Sequence, residues 1–122
     1  MRKSLKDLPV KMEAPGTTTR SMGGLGGMVI AYYELPAGAD FTTIFEGLPD
    51  DKCPCPHWGY VLKGAIRIRY TDGTEEVVKA GDIYYLPSGH TAMVEEDVAM
   101  IEISPEKEYD EVMEHINRKM SG

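Results

Sequence analysis

The chain has 122 residues, of which 42% are hydrophobic and 27% are charged, a composition typical of one globular domain. The 13 Lys and Arg residues stand against 20 Asp and Glu residues, and the net charge of −7 disfavours binding to nucleic acids and to anionic membranes. No apolar run is long enough to cross a bilayer, and no apolar segment follows the basic first residues. Two cysteines cannot form a disulfide scaffold, so we expect a cytoplasmic protein with reduced cysteines.

The first 25 residues contain scattered charges and prolines, and we interpret residues 1–25 as an arm with one short strand. The arm runs into the glycine-rich stretch MGGLGGM. This stretch lacks the Lys-Ser/Thr pair of a phosphate-binding loop, so it indicates a flexible loop or a bend. The β-rich run from Val29 to Leu35 then predicts a strand that ends at Pro36.

Short strands follow at regular spacing, with turn residues between them. Asp72-Gly73 is the two-residue signal of a type I′ hairpin, and the acidic triplet 95–97 is predicted to form a turn between two strands. Strands spaced about 8–12 residues apart indicate an all-β sandwich or barrel rather than alternating strands and helices. We predict a β-barrel over residues 26–104, with strands at 60–62, 66–70, 74–78, 83–86, 90–94 and 98–103.

The last segment, residues 105–122, changes to helical periodicity. Ser104 is a suitable N-cap and Pro105 a suitable first helical residue, while acidic residues precede basic ones along the segment, as the helix dipole favours. The apolar positions form one stripe, which we expect to dock on the barrel or on a partner subunit. The stripe consists of Tyr109, Val112, Met113, Ile116 and Met120.

Both cysteines and one of the three histidines lie within five positions, in the segment Cys53-Pro54-Cys55-Pro56-His57. Thiolate and imidazole are the ligands that Zn²⁺ and other borderline or soft transition metals prefer. On a straight strand the first and last of these side chains would be about 13 Å apart, which is too far for one ion. Either the segment bends or only two of its three side chains bind, and the prolines favour a bend because they interrupt strand pairing.

A further ligand must come from elsewhere in the chain, and His90 is the candidate because it directly follows a turn. Other interpretations remain open. The cysteines can be small buried apolar groups, and either histidine can be a hydrogen-bonded structural residue. A redox role for Cys53 and Cys55 is a third option, although a Cys-x-Cys disulfide is cramped. His115 is expected to be solvated, and no Ser-His-Asp triad or catalytic carboxylate pair can be recognised.

Two segments resemble the motifs of the cupin superfamily, whose members are small jelly-roll β-barrels. Residues 81–89 (GDIYYLPSG) reproduce the spacing G-x5-P-x-G, and residues 57–64 (HWGYVLKG) have the spacing E-x6-G with His57 in place of the glutamate. The stretch CPCPHWGYVLKG is similar to that of a small group of single-domain cupins. The resemblance covers about residues 30–104. With the helix, it implies an all-β fold, a single cupin jelly-roll β-barrel followed by a C-terminal α-helix.

The resemblance also implies that the usual metal site of the family, three histidines and one glutamate, is absent. Asp51 and Cys53 occupy the positions of the two histidines of the first motif, and Ala92 occupies that of the histidine of the second. A thiolate-containing set can replace these ligands, and softer ligands favour Zn²⁺, with Fe, Ni or Cu as alternatives. The candidate metal ligands are Cys53, Cys55, His57 and His90.

By the same resemblance we expect a pocket in the barrel mouth, lined by His57, by Tyr60 or Val61, and by residues of the second motif such as Ala92. Barrels of this size hold one small ligand. If four residues bind the metal the site is closed, and if three bind it keeps an open position for chemistry. The alternative is a metal-free module that binds or senses a small molecule, and a thiol redox sensor is less favoured. Cupins commonly form dimers, so a homodimer is expected.

Overall fold

Seven strands and a C-terminal helix account for most of residues 1–121, the part of the chain that this computed structural model describes. Single turns of 3₁₀ helix lie at Leu5–Asp7 and Pro49–Asp51. The strands are β1 (Val10–Ala14), β2 (Thr17–Met22), β3 (Met28–Leu35), β4 (His57–Tyr70), β5 (Glu75–Lys79), β6 (Ile83–Leu86) and β7 (His90–Pro105), and the helix is α1 (Glu106–Ser121).

The strands form one antiparallel sheet in the order β1-β2-β3-β7-β4-β5, and β6 pairs with β4 beside it. The long strand β7 is therefore held on one side by β3 and on the other by β4. The sheet encloses an aliphatic core that includes Val61, Ile68 and Val94. A second apolar cluster lies between the sheet and α1. This architecture confirms the predicted all-β barrel with a C-terminal helix.

Residues 10–22 form two paired strands of the sheet, where the sequence predicted an arm with one short strand. The chain turns at Pro15 and Gly16, and β2 then pairs with β3 from Thr18 to Met22. Three consecutive threonines are β-branched and pack well on a pleated sheet, so the run at 17–19 that looked merely polar is a strand.

The acidic triplet 95–97 does not form a turn, and β7 runs without interruption from His90 to Pro105. Both parts of β7 pair with the same strand, β4, whereas a hairpin would pair the two parts with each other. Between Lys63 and Ile66 the facing part of β7 has two extra residues, and between Val61 and Lys63 it is β4 that has one, so the pairing is kept by bulges in both strands. The bulges let one strand continue where the acidic composition suggested that it would reverse.

The hairpin between β4 and β5 is present, but its turn is not type I′. A type I′ turn needs positive φ at both central residues, and only Gly73, with φ of 87°, has it. The Gly73 N–H donates to the Tyr70 carbonyl, and the Tyr70 N–H donates to the Thr74 carbonyl. The loop therefore has three residues and ends in a left-handed glycine.

The helix begins at Glu106, one residue later than predicted, because β7 includes Pro105. The helix docks on the barrel, which is one of the two placements predicted for it, and it buries Tyr109 and Val112. His115 is half-buried rather than solvated, since its Nε2 lies 3.2 Å from the Ile44 carbonyl oxygen. No helix within residues 1–121 is long and apolar enough to cross a membrane.

Candidate metal centre and its cavity

Cys53 and His90 are brought side by side by backbone pairing. The Cys53 N–H donates to the His90 carbonyl at 2.8 Å, and the Gly89 N–H donates to the Cys53 carbonyl at 2.8 Å. The chain then passes through Pro54 and Pro56, which have no N–H to continue such a ladder, and enters β4 at His57. This bend brings His57 back to Cys53, as the spacing argument required for a shared site.

The side chains of Cys53, His57 and His90 converge. All three are buried, and their candidate ligand atoms lie within 4.8 Å of one another. The Cys53 Sγ is 3.6 Å from the His57 Nε2. In a tetrahedral Zn²⁺ site with a Zn–S bond of about 2.3 Å and a Zn–N bond of about 2.0 Å, the sulfur and nitrogen atoms are about 3.5 Å apart. The observed separation therefore fits sulfur and nitrogen ligands of one ion, and it equally allows an S–H···N hydrogen bond.

Hydrogen bonds hold both imidazole rings so that Nε2 is free to bind. The His90 Nδ1 donates to the Pro87 carbonyl at 2.9 Å, so the lone pair lies on Nε2. The His57 Nδ1 lies 2.6 Å from the Ser104 Oγ and 3.3 Å from the Glu102 Oε2. Burial lowers the pKa of each histidine to about 4. At neutral pH both rings are therefore uncharged, which is the form that binds a metal.

The Cys53 thiol holds its proton when no cation is present. Burial raises the pKa of Cys53 to about 12. Its Sγ also lies 3.7 Å from the Cys55 carbonyl, which can accept the S–H. A bound cation favours the thiolate, so binding of a metal here is coupled to loss of that proton.

Cys55 lies outside this group of three, although the sequence offered it as a ligand. Its Sγ lies 3.4 Å from the Pro56 carbonyl oxygen, and its side chain packs in the apolar cluster that includes Tyr109 and Val112. Burial raises the pKa of its thiol to about 12. On a straight strand the side chains of residues 53, 55 and 57 would point to one face, and the bend at the prolines removes that regularity.

Glu102 and Ser104 belong to the site and were missed in the sequence. Both are buried on β7 and both contact the His57 ring. Burial raises the pKa of Glu102 to about 7. The alternation of β7 gives the signal that could have found them, because Val98 and Met100 face the core and the next two inward positions are 102 and 104.

The three converging side chains open onto a cavity of about 290 Å³ inside the barrel. Its walls are mainly apolar and aromatic, its polar groups are few, and all five residues of the helical stripe line it. Ala92 lines it. Tyr60 instead lies exposed on the outer face of β4, and Val61 is fully buried in the aliphatic core without reaching the cavity wall. The register of β4 sets which of these neighbours points inward, and the sequence left that choice open.

Several solved structures share this fold. A protein of unknown function from Rhizobium leguminosarum is 23% identical, with a TM-score of 0.63 over 85% of this chain and 95% of that one. An RmlC-like cupin from Shewanella frigidimarina is 18% identical, with a TM-score of 0.59 over 82% and 86% of the two chains. KdgF from a Halomonas species is 19% identical, with a TM-score of 0.56 over 82% and 88%.

The chain therefore folds as a small cupin domain, as the two sequence motifs implied. No protein-family model matches it, and no curated protein matches it. At these identities the likeness defines the fold, and function has to be argued from the site itself.

Proposed function

We propose that this protein is a cupin that binds one divalent transition metal through Cys53, His57 and His90, with Zn²⁺ as the preferred ion. The convergence of one sulfur and two imidazole nitrogens within 4.8 Å carries the proposal. The hydrogen bonds to each Nδ1 add to it, because metal-binding histidines are usually oriented through their other nitrogen.

The donor set selects the class of metal. One thiolate and two imidazoles are softer than the nitrogen and oxygen ligands typical of the cupin motif, so Zn²⁺ is favoured over Mn²⁺, and Fe²⁺, Ni²⁺ or Cu remain alternatives. Zn²⁺ prefers four ligands, and Cys53, His57 and His90 would supply three of them. Three protein ligands would leave a position for water or a small molecule, as in catalytic rather than structural Zn²⁺ sites.

In such a site the metal would supply a Lewis acid at an open position. The chain's own residues do the rest. The apolar cavity wall excludes water and accommodates a small, mainly apolar molecule with a polar group at the metal end. Glu102 holds the His57 ring, and with its pKa raised to about 7 by burial it can hold or release a proton near neutral pH beside the cavity.

The proposal is tested by metal analysis of protein purified without an affinity tag, with Cys55→Ala as the matched control. Cys53→Ala and His90→Ala should each lose most of the metal that the wild-type protein carries, whereas Cys55→Ala should keep it. Both cysteines are buried and lie two residues apart, so the pair separates ligation from the packing role of a small buried thiol. Metal-free wild-type protein after purification with supplied metal, or equal metal loss in both cysteine variants, would contradict the proposal.

The cavity favours a second candidate, a metal-free module that binds a small apolar molecule. Its size is near the lower limit of about 300–1,000 Å³ for small-molecule sites. In that case the 3.6 Å contact of Cys53 with His57 is a thiol–imidazole hydrogen bond, and chelators leave the melting temperature unchanged. A thiol redox sensor is less supported, because burial of both cysteines and their raised pKa values make them poor nucleophiles. Metal binding by Cys53 and its hydrogen bond to His57 both need a reduced thiol, which fits the expected cytoplasmic location.

A further inference from the structure

The cavity contains a buried hydroxyl group that has no hydrogen-bond partner within the chain. Among residues 1–121, buried hydroxyls without a partner include those of Thr19, Tyr84 and Thr91. Tyr84 and Thr19 line the cavity, whereas Thr91 does not. A buried polar group without a partner costs free energy, so such a group in a cavity wall points to a ligand atom that pairs with it.

The position of Tyr84 is built into the sheet. Gly59 of β4 pairs with Tyr84 of β6 on one side and with Glu102 of β7 on the other, so both side chains extend to the same face. A Cβ at residue 59 would overlap the Ile101 carbonyl oxygen and the ring and hydroxyl of Tyr84. The absence of a side chain at Gly59 therefore lets the phenol lie across β4, next to Glu102, which contacts His57.

The Tyr84 hydroxyl is suited to donate a hydrogen bond to a ligand. Burial and the neighbouring Glu102 carboxyl raise the pKa of Tyr84 well above its usual value, so the phenol keeps its proton. Two other phenols of the cavity wall, those of Tyr33 and Tyr109, lie close enough to interact with each other. Tyr84 is therefore the hydroxyl that is placed beside the candidate metal ligands and lacks a partner.

The charges of the cavity disfavour an anionic ligand. Among residues 1–121, no lysine or arginine lines the cavity, and Glu102 is its one carboxyl group. A carboxylate or phosphate of a ligand would be buried beside Glu102 without a cationic side chain to pair with, which is unfavourable. A bound metal ion would be the one positive charge there, and a thiolate ligand would offset part of it. An uncharged acceptor, such as a carbonyl oxygen, avoids this cost.

The size and the walls of the cavity favour an aromatic ring. An apolar cavity of roughly 150 Å³ holds benzene, and this cavity of about 290 Å³ is nearly twice as large. Phe41 and Phe45, which stack with ring centroids 5.8 Å apart, line it together with Tyr109. Aromatic rings pack favourably on such walls in offset or edge-to-face arrangements. One substituted ring therefore fits the cavity.

We propose that the cavity binds an uncharged aryl ketone or aldehyde, whose carbonyl oxygen accepts a hydrogen bond from the Tyr84 hydroxyl. The role of this ligand as a substrate rests on the proposed function, because the metal would supply the Lewis acid beside the carbonyl group. The hydrogen bond itself requires no metal. Tyr84 is then a specificity-determining residue, which selects a carbonyl group over a hydrocarbon group of the same shape.

The test measures binding of three probes to the full chain by equilibrium dialysis at about pH 8 in the presence of a chelator. Acetophenone is the ketone, α-methylstyrene has the same shape with a CH₂ group in place of the oxygen, and benzoate is the anion. Tyr84→Phe should weaken acetophenone binding by about 3–10-fold, the value of one hydrogen bond, and should not weaken α-methylstyrene binding. Benzoate should bind the wild-type protein at least about 10-fold more weakly than acetophenone.

Thr91→Val is the matched control, because it removes another buried hydroxyl without a partner, one that does not line the cavity. It should leave the affinity for both uncharged probes unchanged, and circular dichroism checks that each variant is folded. The carbonyl stretching band of bound acetophenone should lie at lower frequency in the wild-type protein than in Tyr84→Phe, which a purely structural role of Tyr84 would not produce.

Three results would overturn the proposal. These are no acetophenone binding to the folded wild-type protein, benzoate binding that is tighter than acetophenone binding, and a Tyr84→Phe variant that binds acetophenone as well as the wild type or loses affinity for both uncharged probes equally. All are measured without metal, whereas the proposed function stands or fails by metal analysis. The failure of one is therefore distinguishable from the failure of the other.

Discussion

Replacing the buried carboxyl of Glu102 by an amide, Glu102→Gln, should change how the stability of the metal-free protein depends on pH. Burial raises the pKa of Glu102 in the folded protein from 4.5 to about 7. A difference of about 2.5 units at about 1.4 kcal/mol per unit corresponds to about 3 kcal/mol of unfolding free energy. Because the folded state holds this proton more tightly, the contribution is fully present below about pH 4.5 and is lost as the pH rises through about 7.

The two histidines act in the opposite direction, so the comparison has to be made between variants. Burial lowers the pKa of His57 and of His90 from 6.5 to about 4. Their contribution is present above about pH 6.5 and is lost as the pH falls toward about 4. The wild-type protein and Glu102→Gln share both histidines, so subtracting their profiles leaves the carboxyl group and its interaction with those histidines.

The assay is urea unfolding in the presence of a chelator, from about pH 4.5 to about pH 8, for both proteins. The unfolding free energy of the wild-type protein should fall by about 3 kcal/mol relative to that of Glu102→Gln across this range. Glu114→Gln is the control, because Glu114 is exposed on α1 and pairs with Arg118 at 2.9 Å, and its profile should follow the wild type. A constant difference between the wild-type protein and Glu102→Gln would refute the assignment of Glu102 as a buried titrating group.

Two further predictions concern the metal site, and a third concerns the packing of β4. Metal affinity should rise about tenfold per pH unit between about pH 6 and about pH 8, because binding displaces the Cys53 thiol proton. A chelator competition titration measures this affinity, and an affinity that does not change with pH would argue against a thiolate ligand. Ser104→Ala should weaken metal binding by about 10–100-fold in the same titration through loss of its 2.6 Å contact with His57, and unchanged affinity would contradict that role. Gly59→Ala should cost about 1–3 kcal/mol in urea unfolding, because a Cβ there would overlap the Ile101 carbonyl oxygen and the ring of Tyr84, and wild-type stability would contradict this close packing.

Much of the barrel could be predicted from the sequence because its elements are defined by local signals. Turn residues separate the strands. The motif at 81–89 covers strand β6 and the loop that contains Pro87 and Gly89. The continuity of β7 could not be predicted, because bulges opposite β4 depend on pairing with a strand that lies far away in the chain. The three-residue turn at Gly73 differs from the expected one for a similar reason, since its geometry follows the pairing of β4 with β5.

Only the site residues that are marked by their type and by their proximity in the sequence could be predicted. Cys53 and His57 are marked by their clustering, and His90 by its place after a turn. The separation of Cys55 from them depends on the direction of the bend at the prolines, which no periodicity encodes. Glu102 reaches the His57 ring from a strand 45 positions away in the chain, so only the tertiary pairing of β4 with β7 brings the two together.

Cobalt substitution can decide whether Cys53 is a metal ligand, because Co²⁺ replaces Zn²⁺ in such sites and a cobalt–thiolate bond has its own charge-transfer absorption in the near ultraviolet. The wild-type protein and Cys55→Ala should show this band at one cobalt per chain, and Cys53→Ala should lose it. Absence of the band in cobalt-loaded wild-type protein, or its persistence in Cys53→Ala, would contradict the assignment of Cys53 as a metal ligand.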